Sequence, residues 1–302
     1  MAYAESLDVH ASGAMRRQLD QQRWHFQHGP IDLLLAADGD GRAVKRAFEG
    51  AWQQFAVLLS QLTVELNQLR QPLSTHTQFN GAIARRMASA CRPYLPQFVT
   101  PMAAVAGSVA DELIQHFSRE PAISRAYINN SGDIALHLQS GQQYQVGLFS
   151  DISRYRGTTS PLDADFTISD TLAVRGLATS GWRGRSFSLG IADSVTVLAT
   201  TAASADVAAT LIGNKVFVDH PAIHRAPANS LKDDTDLGEQ LVVTHVGSLP
   251  RLLIEQALDN ASKYAQPLVD SGRIYGAVIA LQGQVRVVGL AQNKKEGYVK
   301  LN

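Results

Sequence analysis

The chain has 302 residues, and 45% of them are hydrophobic, so it can build one large core or two fused halves. Its 27 basic residues balance its 27 acidic residues, which excludes the strong net charge that attracts nucleic acids or membrane surfaces. Cys91 is the only cysteine, so an internal disulfide is excluded and a structural zinc site is disfavoured. The first residues include acids without the apolar segment of a signal peptide, and no apolar run approaches the ~18 residues that span a bilayer. We therefore expect a cytoplasmic protein.

The N-terminal part of the sequence predicts a strand pair followed by a long helix. Residues 1–15 indicate a loose arm or a short helix. Residues 24–26 and 31–37 predict two strands around a Gly-Pro turn, and the acidic segment 38–41 is typical of a helix cap. Apolar residues then recur at helical spacing: Val44, Phe48, Trp52, Phe55, Leu59, Leu62 and Leu66. Such a stripe usually faces a core, although it would also suit a partner or a cofactor.

Two more helices are expected before the middle of the chain. The first is predicted over 80–91 and ends at the following prolines. Thr100 and Pro101 predict the N-cap and first position of a helix over 102–117. This helix is rich in small residues: Ala103, Ala104, Ala106, Gly107, Ser108 and Ala110. They favour tight packing against a sheet or the close approach of a flat ligand, and both alternatives stay open.

The middle of the chain predicts mostly strands. Residues 125–128, 134–138 and 144–149 indicate a β-meander with Gly-containing turns. Residues 150–169 show no clear period and are expected to form a loop. A strand over 172–178 then leads into Thr179-Ser180-Gly181, which predicts a tight turn.

After this turn the alternation of Val195, Val197 and Ala199 predicts a half-buried strand. A helical pattern follows and stops at Gly213. A short strand over 215–218 and a long polar loop over 219–238 are expected next, and such a loop inside a compact domain is typical of a functional segment.

The last part of the sequence repeats the alternation of strands and helices. It predicts a strand over 241–245, a helix that starts at Pro250 and ends near Leu268, and a hairpin of residues 274–281 and 284–290. Residues 291–302 form a polar tail. Because no segment has the composition of a linker, we predict one α+β domain spanning residues 1–302 with an internal two-fold repeat.

Asp206 and Thr210 are the leading candidates for a cation site. Their spacing places both side chains on one helix face, about 5–6 Å apart at their Cβ atoms. A carboxylate and a hydroxyl on the first turns of a helix that follows a strand suit a hard cation with phosphate bound to it. The alternative is local: an acid that favours the helix N-terminus and a threonine bonded back to the helix backbone.

Other polar groups suggest contacts to a phosphorylated ligand. Thr179 and Ser180 offer hydroxyl and backbone N–H groups beside Gly181, and Arg183 and Arg185 can clamp a phosphate through bidentate contacts. Asp133 either faces a ligand or only fixes its own turn.

A second group of polar residues lies in the loop 219–238. Asp219, His220 and His224 have a ligand-like spacing. They could form an acidic or metal-binding patch with Asp233, Asp234 and Asp236, but Pro221 and the loop context disfavour a preformed metal cage.

Four short motifs in order resemble the ApbE superfamily, the flavin transferases that move FMN from FAD to protein threonines. Residues 205–210 (A-D-V-A-A-T) resemble its A-D-x-x-x-T motif, and residues 194–197 (S-V-T-V) and the T-S-G turn resemble two others. The segment 129–134 (N-N-S-G-D-I) is similar to an N-x-G-G-D-I turn, which adds Asn130, Gly132 and Asp133 to the candidate ligand contacts. The match over 99–112 (V-T-P-M-A-A-V-A-G-S-V-A-D-E) is closer to one subgroup, the UPF0280 proteins.

This resemblance implies a fold and a chemistry. The fold would be a duplicated, T-fold-like antiparallel sheet with helices packed on one face. Asp206 and Thr210 would help to hold Mg²⁺, and the ligand would be FAD, FMN or a related nucleotide. The sequence departs from the superfamily over 182–193, where a histidine-bearing H-x-x-D-P-x-T-G-like segment is usual and no histidine is present.

Three functions are therefore open. The first is an ApbE-like, Mg²⁺-dependent enzyme that transfers flavin or cleaves FAD or a related nucleotide diphosphate, with Asp206, Arg183 and Arg185 at the reacting phosphates. The second is a flavin- or nucleotide-binding accessory protein without transfer chemistry. The third is an enzyme acting on another phosphorylated or pterin-like substrate in cofactor biosynthesis. A homodimer is compatible with open sheet edges, whereas nucleic acid and membrane partners are not expected.

Overall fold

The computed structural model describes residues 7–148, 164–290 and 299–301. Most of the loop predicted over 150–169 and most of the predicted polar tail lie outside these residues. The described part contains antiparallel strands and helices throughout, so the predicted α+β class is confirmed. The duplicated T-fold-like arrangement with helices on one face stays a prediction.

The chain divides into two compact units. The first consists of Met1–Gln142 together with Thr201–Ala203. The second consists of Gln143–Thr200 together with Ser204–Asn302.

Strands of the first unit pair antiparallel with their neighbours in sequence. They are β1 (Leu7–Val9), β2 (Met15–Gln18), β3 (Arg23–His28), β4 (Ile31–Gly39), β5 (Ile123–Asn130) and β6 (Asp133–Leu138). The expected loose arm is thus wrong for Leu7–Val9. An ion pair between Arg16 and Asp8, 2.8 Å, joins β1 to β2 across the register, and Arg16 also binds Glu49. At three residues, β1 is too short to display the period of a strand.

The long predicted helix is α1 (Gly41–Val64), and a short helix, α2 (Leu66–Leu69), continues it. Asp40 is the N-cap, since its Oδ1 accepts hydrogen bonds from the amides of Arg42 and Ala43, both at 3.0 Å. The apolar stripe packs against β3 and β4, with Phe48, Trp52 and Phe55 buried. The stripe is therefore part of the core.

Replacement of Asp40 by alanine is expected to destabilise the first unit by about 1 kcal/mol, because two backbone amides lose their acceptor. Urea unfolding at constant m-value measures the change. Asp40→Asn retains one acceptor oxygen and should stay close to the parent. Equal losses of unfolding free energy in both variants would show that the charge of Asp40, rather than its hydrogen bonds to the helix amides, stabilises the unit.

Five helical segments follow in the described part of this unit: α3 (Ala82–Cys91), two 3₁₀ turns (Arg92–Tyr94 and Pro101–Ala104), α4 (Val105–Leu113) and α5 (Gln115–Ser118). The single helix predicted over 102–117 is thus interrupted. Pro101 occupies the first turn as predicted, but the Thr100 side chain does not cap it. A Cβ added to Gly107 would lie 2.3 Å from the carbonyl oxygen of Ala202. The backbones of Gly107 and Ala202 can therefore approach this closely only because residue 107 has no side chain.

Strands of the second unit form three groups. One is the antiparallel series β9 (Gly176–Ser180), β10 (Ser194–Ala199), β13 (Gly276–Leu281) and β14 (Gln284–Val288). The others are β7 (Gln143–Leu148), β8 (Ala164–Ser169) and β15 (Val299–Leu301), and the pair β11 (Ile223–Pro227) and β12 (Leu241–Val246). The C-terminal hairpin is confirmed.

Three predictions for this unit are wrong. The third strand of the expected meander, β7, pairs with β8 instead, in a segment predicted as loop. No strand forms over 215–218. Val216 and Val218 are buried there, but the backbone of this segment is irregular. The polar loop contains β11 and the short helix α7 (Ala228–Leu231).

Strand β10 is buried along its whole length, and the prediction of a half-buried strand is wrong. The alternation arose from Ser194 and Thr196, which are polar and yet almost inaccessible. Thr196 is satisfied by a hydroxyl partner, Thr179 on β9, at 2.8 Å. A buried hydroxyl with a partner avoids most of the cost of leaving water.

The remaining helices are α6 (Ala202–Gly213) and α8 (Arg251–Asp270). Helix α6 begins with residues of the first unit and continues in the second. Helix α8 starts directly after Pro250, as predicted, and packs against β13 and β14. Within the described ranges, no helix is long and apolar enough to cross a membrane.

Candidate functional site

Helix α6 carries a narrow polar strip, formed by Asp206 and Thr210, on a largely buried surface. Ser204, Asp206 and Thr210 keep part of their surface exposed, while the other residues of the helix are buried. Asp206 and Thr210 are four residues apart, so they lie on one face, whereas Ser204 projects from another side. The structure thus places the predicted carboxylate and hydroxyl together at the surface of an apolar, alanine-rich helix.

This pair fits a magnesium ion. One carboxylate and one hydroxyl are hard oxygen donors, and Mg²⁺ commonly takes one or two carboxylates and completes its shell with water and phosphate oxygens. No group of three or more His, Cys, Asp or Glu side chains in the described residues could hold a metal ion. A site for a softer metal, which needs several nitrogen or sulfur ligands, is therefore not indicated at α6.

The T-S-G segment is not a turn of its own. Thr179 and Ser180 are the last residues of β9, and the chain turns after Gly181, whose carbonyl accepts from the amide of Gly184 at 3.0 Å. The extended conformation continues because Thr179 pairs with Thr196 on β10. A Cβ on Gly181 would lie 2.3 Å from the carbonyl oxygen of Asp193, so only glycine fits there.

The two predicted phosphate-binding arginines follow this strand end. Arg183 and Arg185 are exposed, and the guanidinium of Arg183 lies 5.0 Å from the ring centroid of Trp182. Stacking on an indole orders the planar guanidinium, the group that suits bidentate contacts to an oxyanion.

Asn130, Gly132 and Asp133 belong to the first unit, around the β5–β6 turn. Ser131 and Gly132 adopt positive φ angles, 56° and 110°, and the amide of Gly132 donates to Oδ1 of Asn129 at 2.8 Å. Asn130 is 3% exposed and donates to the carbonyl of Ala106 at 3.1 Å. Asn130 therefore ties the turn to the start of α4 from inside the protein.

The segment 182–193, where the superfamily histidine is missing, is held by hydrogen bonds. The Asp193 carboxylate accepts from Nε1 of Trp182 at 3.4 Å and from the amide of Gln282 at 2.5 Å. Gln282 in turn binds the backbone of Gly247 and Leu249. Asp193 therefore anchors this segment to the β13–β14 turn.

The acids and histidines of 219–238 do not form a metal cage among the described residues. His220 Nδ1 accepts from the amide of Ala222, and His224 packs against His245 across the β11–β12 pair with ring centroids 5.4 Å apart. Asp234 lies 3.5 Å from Lys232. His137, predicted as a plain sheet residue, bonds the carbonyl of Ile123.

Asp111 on α4 is a polar residue that the sequence reasoning did not single out. Its carboxylate accepts from the amides of Ala202 and Ala203, at 3.0 and 2.8 Å, where α6 begins. Burial raises the pKa of Asp111, and the two amide donors oppose that shift. The residue lies inside the V-A-D-E end of the matched segment 99–112, which is the one signal that marks it.

Comparisons with known proteins place the chain in a family. A family model described as "AbpE bacteria" matches residues 16–287. A UPF0280 protein of Methanosphaerula palustris is 33% identical over 204 residues, which cover 64% of this chain and 77% of that protein. A UPF0280 protein of Methanothermobacter thermautotrophicus is 35% identical over 182 residues, covering 57% of this chain and 66% of that protein, so the match spans just under two thirds of its length.

A solved structure is also similar: the ApbE protein of Thermotoga maritima, with a TM-score of 0.47 and 10% identity over 95% of this chain and 97% of that one. The family assignment comes from the sequence matches, which run through both compact units. The chain belongs to the UPF0280 family of the ApbE superfamily.

Proposed function

We propose that the chain is a Mg²⁺-dependent, ApbE-like enzyme that acts on FAD or a related nucleotide diphosphate. The observation that carries the proposal is the polar strip of α6, where Asp206 and Thr210 reach the surface of a buried helix. Their carboxylate and hydroxyl lie four residues apart, on one face of the helix. They are well suited to hold a cation between the protein and a diphosphate.

Each site residue has a distinct role in this proposal. The bound Mg²⁺ would neutralise the diphosphate and polarise the bond that breaks. Asp206 and Thr210 hold the cation, and backbone amides near Ser180 and Gly181 orient the phosphates. Arg183 or Arg185 stabilises the charge that develops on the leaving phosphate. The superfamily resemblance implies nucleotide contacts for Asn130, Gly132 and Asp133, of which Gly132 and Asp133 are partly exposed whereas Asn130 is buried.

Cleavage of FAD by water is the reaction that we favour over flavin transfer to a protein. Water attacks a phosphorus of the pyrophosphate, the P–O–P bond breaks, and FMN and AMP are released. The supporting observation is the histidine-free segment 182–193, which is anchored by Asp193 instead. Two other functions stay open: a flavin-binding accessory protein, and an enzyme acting on another phosphorylated or pterin-like substrate.

The chain is expected to flavinylate acceptor threonines poorly or not at all. The segment 182–193 has no histidine to act as a general base on the acceptor hydroxyl, and its one carboxylate, Asp193, already accepts hydrogen bonds from Trp182 and Gln282. Incubation with FAD, Mg²⁺ and an acceptor domain, followed by in-gel flavin fluorescence, measures this. A flavin transferase active on the same acceptor is the positive control. Bright labelling at a comparable rate would contradict the prediction.

The reaction itself is tested by chromatography of FAD incubated with the protein. The proposal predicts equal amounts of FMN and AMP, formed with Mg²⁺ and not with EDTA. Binding of FAD without any product would favour the accessory function. Neither binding nor product would favour the third function, and identification of a co-purifying ligand by absorbance and mass would then name the substrate. A cytoplasmic location and a homodimer remain proposals.

A further inference from the structure

The N-terminus of α6 is occupied by a side chain of its own protein. A helix leaves its first amides without an intrahelical acceptor, which makes them a ready site for phosphate. In α6 the amides of Ala202 and Ala203 instead donate to the two carboxylate oxygens of Asp111. Both oxygens of one carboxylate thus cap the helix that carries Asp206 and Thr210.

A second contact fixes the same point of the helix. Gly107 lies one turn before Asp111 on α4, and its missing side chain leaves room for the carbonyl of Ala202. The amide of Ala202 is therefore held by Asp111, and its carbonyl lies close to the backbone of α4 at Gly107.

We infer that Asp111 is a positioning residue for the cation site, which rests on the proposed function. It fixes the start of α6, the helix that carries Asp206 and Thr210. It also occupies the first two amides, so phosphate is attached through the cation and not through these amides. Attachment of the diphosphate at α6 should then require the cation.

The variant Asp111→Asn tests this without changing the size of the side chain. A carboxamide has a single acceptor oxygen, and its NH₂ group would face one of the two amide donors. Glu112→Gln is the matched control, since it removes the same charge from the same helix. The partners of Glu112 are Gln54 and Arg86 rather than the start of α6.

The first readout is the Mg²⁺ concentration that gives half-maximal ADP binding. Asp111→Asn should raise it about fivefold, equivalent to about 1 kcal/mol, the usual worth of a helix cap. Glu112→Gln should leave it near the parent value. If a substitution only destabilises the fold, less protein is folded, but the folded protein keeps the parent's Mg²⁺ concentration for half-maximal ADP binding.

The second readout is amide hydrogen exchange over residues 202–213, measured by mass spectrometry. Faster exchange is expected in Asp111→Asn and not in Glu112→Gln. Faster exchange with an unchanged Mg²⁺ requirement would overturn the positioning role, and unchanged exchange would overturn the cap. If the parent binds ADP equally with EDTA, the proposed function fails together with the positioning role, while the exchange data still decide the cap.

Discussion

Asp206→Asn is expected to weaken Mg²⁺-dependent binding of FAD and ADP more than tenfold, which is at least about 1.4 kcal/mol. The substitution keeps the shape of the side chain and removes the charge that holds the cation. Urea unfolding of the variant separates a loss of binding from a loss of stability. Calorimetric titration of both nucleotides, with Mg²⁺ and with EDTA, measures the effect.

Two further variants of the same helix calibrate this result. Thr210→Val should weaken binding less, since a hydroxyl is a weaker ligand than a carboxylate. Ser204→Ala is the control, because Ser204 is also partly exposed but projects from another side of α6. Unchanged affinity and unchanged Mg²⁺ dependence in Asp206→Asn would mean that the motif is only the start of a helix.

Gly107→Ala is expected to destabilise the first unit by about 1–3 kcal/mol. The new methyl group would lie 2.3 Å from the carbonyl oxygen and 2.5 Å from the carbonyl carbon of Ala202. These are backbone atoms, which cannot rotate away, so α4 and the start of α6 must separate. The loss exceeds the helix propensity that alanine gains over glycine.

Gly41→Ala is the matched control for Gly107→Ala. Gly41 is also helical, at the start of α1, and a Cβ added there meets no atom within 4 Å. Its stability in urea should equal or slightly exceed that of the parent. Equal stability of the parent and Gly107→Ala would show that α4 and α6 can separate at no cost.

The elements that could be predicted from the sequence are those whose signal is local. Helix α1 has both a cap, Asp40, and a sustained apolar stripe. The β13–β14 hairpin has a Gly-containing turn, where Gln282 and Gly283 adopt positive φ angles of 45° and 79°. Capping, turn chemistry and periodicity act within a few residues, so the chain itself displays them.

The elements that were missed depend on distant partners. Strand β1 is held by the pairing of Asp8 with Arg16, and β10 is buried by neighbours on both sides although it contains Ser194 and Thr196. Strand β8 pairs with β7 and with β15, near the far end of the chain. Such pairings follow from tertiary contacts, which override local pattern.

The candidate site divides in the same way. Asp206 and Thr210 could be named as candidates because their spacing and their motif are local. Asp111 was missed because it caps a helix that begins 91 residues further along the chain, and Asp193 because its partner Gln282 is 89 residues away. A matched segment that ends in V-A-D-E marks Asp111 without revealing what it binds.

The cation and the nucleotide are expected to bind together at α6. Mn²⁺ in place of Mg²⁺ gives a direct measurement, because free Mn²⁺ is counted by electron paramagnetic resonance. We expect weak binding of Mn²⁺ to the protein alone and much tighter binding when ADP is present, beyond the Mn²⁺ taken up by ADP without protein. By linkage, Mn²⁺ must then tighten ADP binding by the same factor. An Mn²⁺ affinity that is the same with and without ADP would show that the two do not bind together.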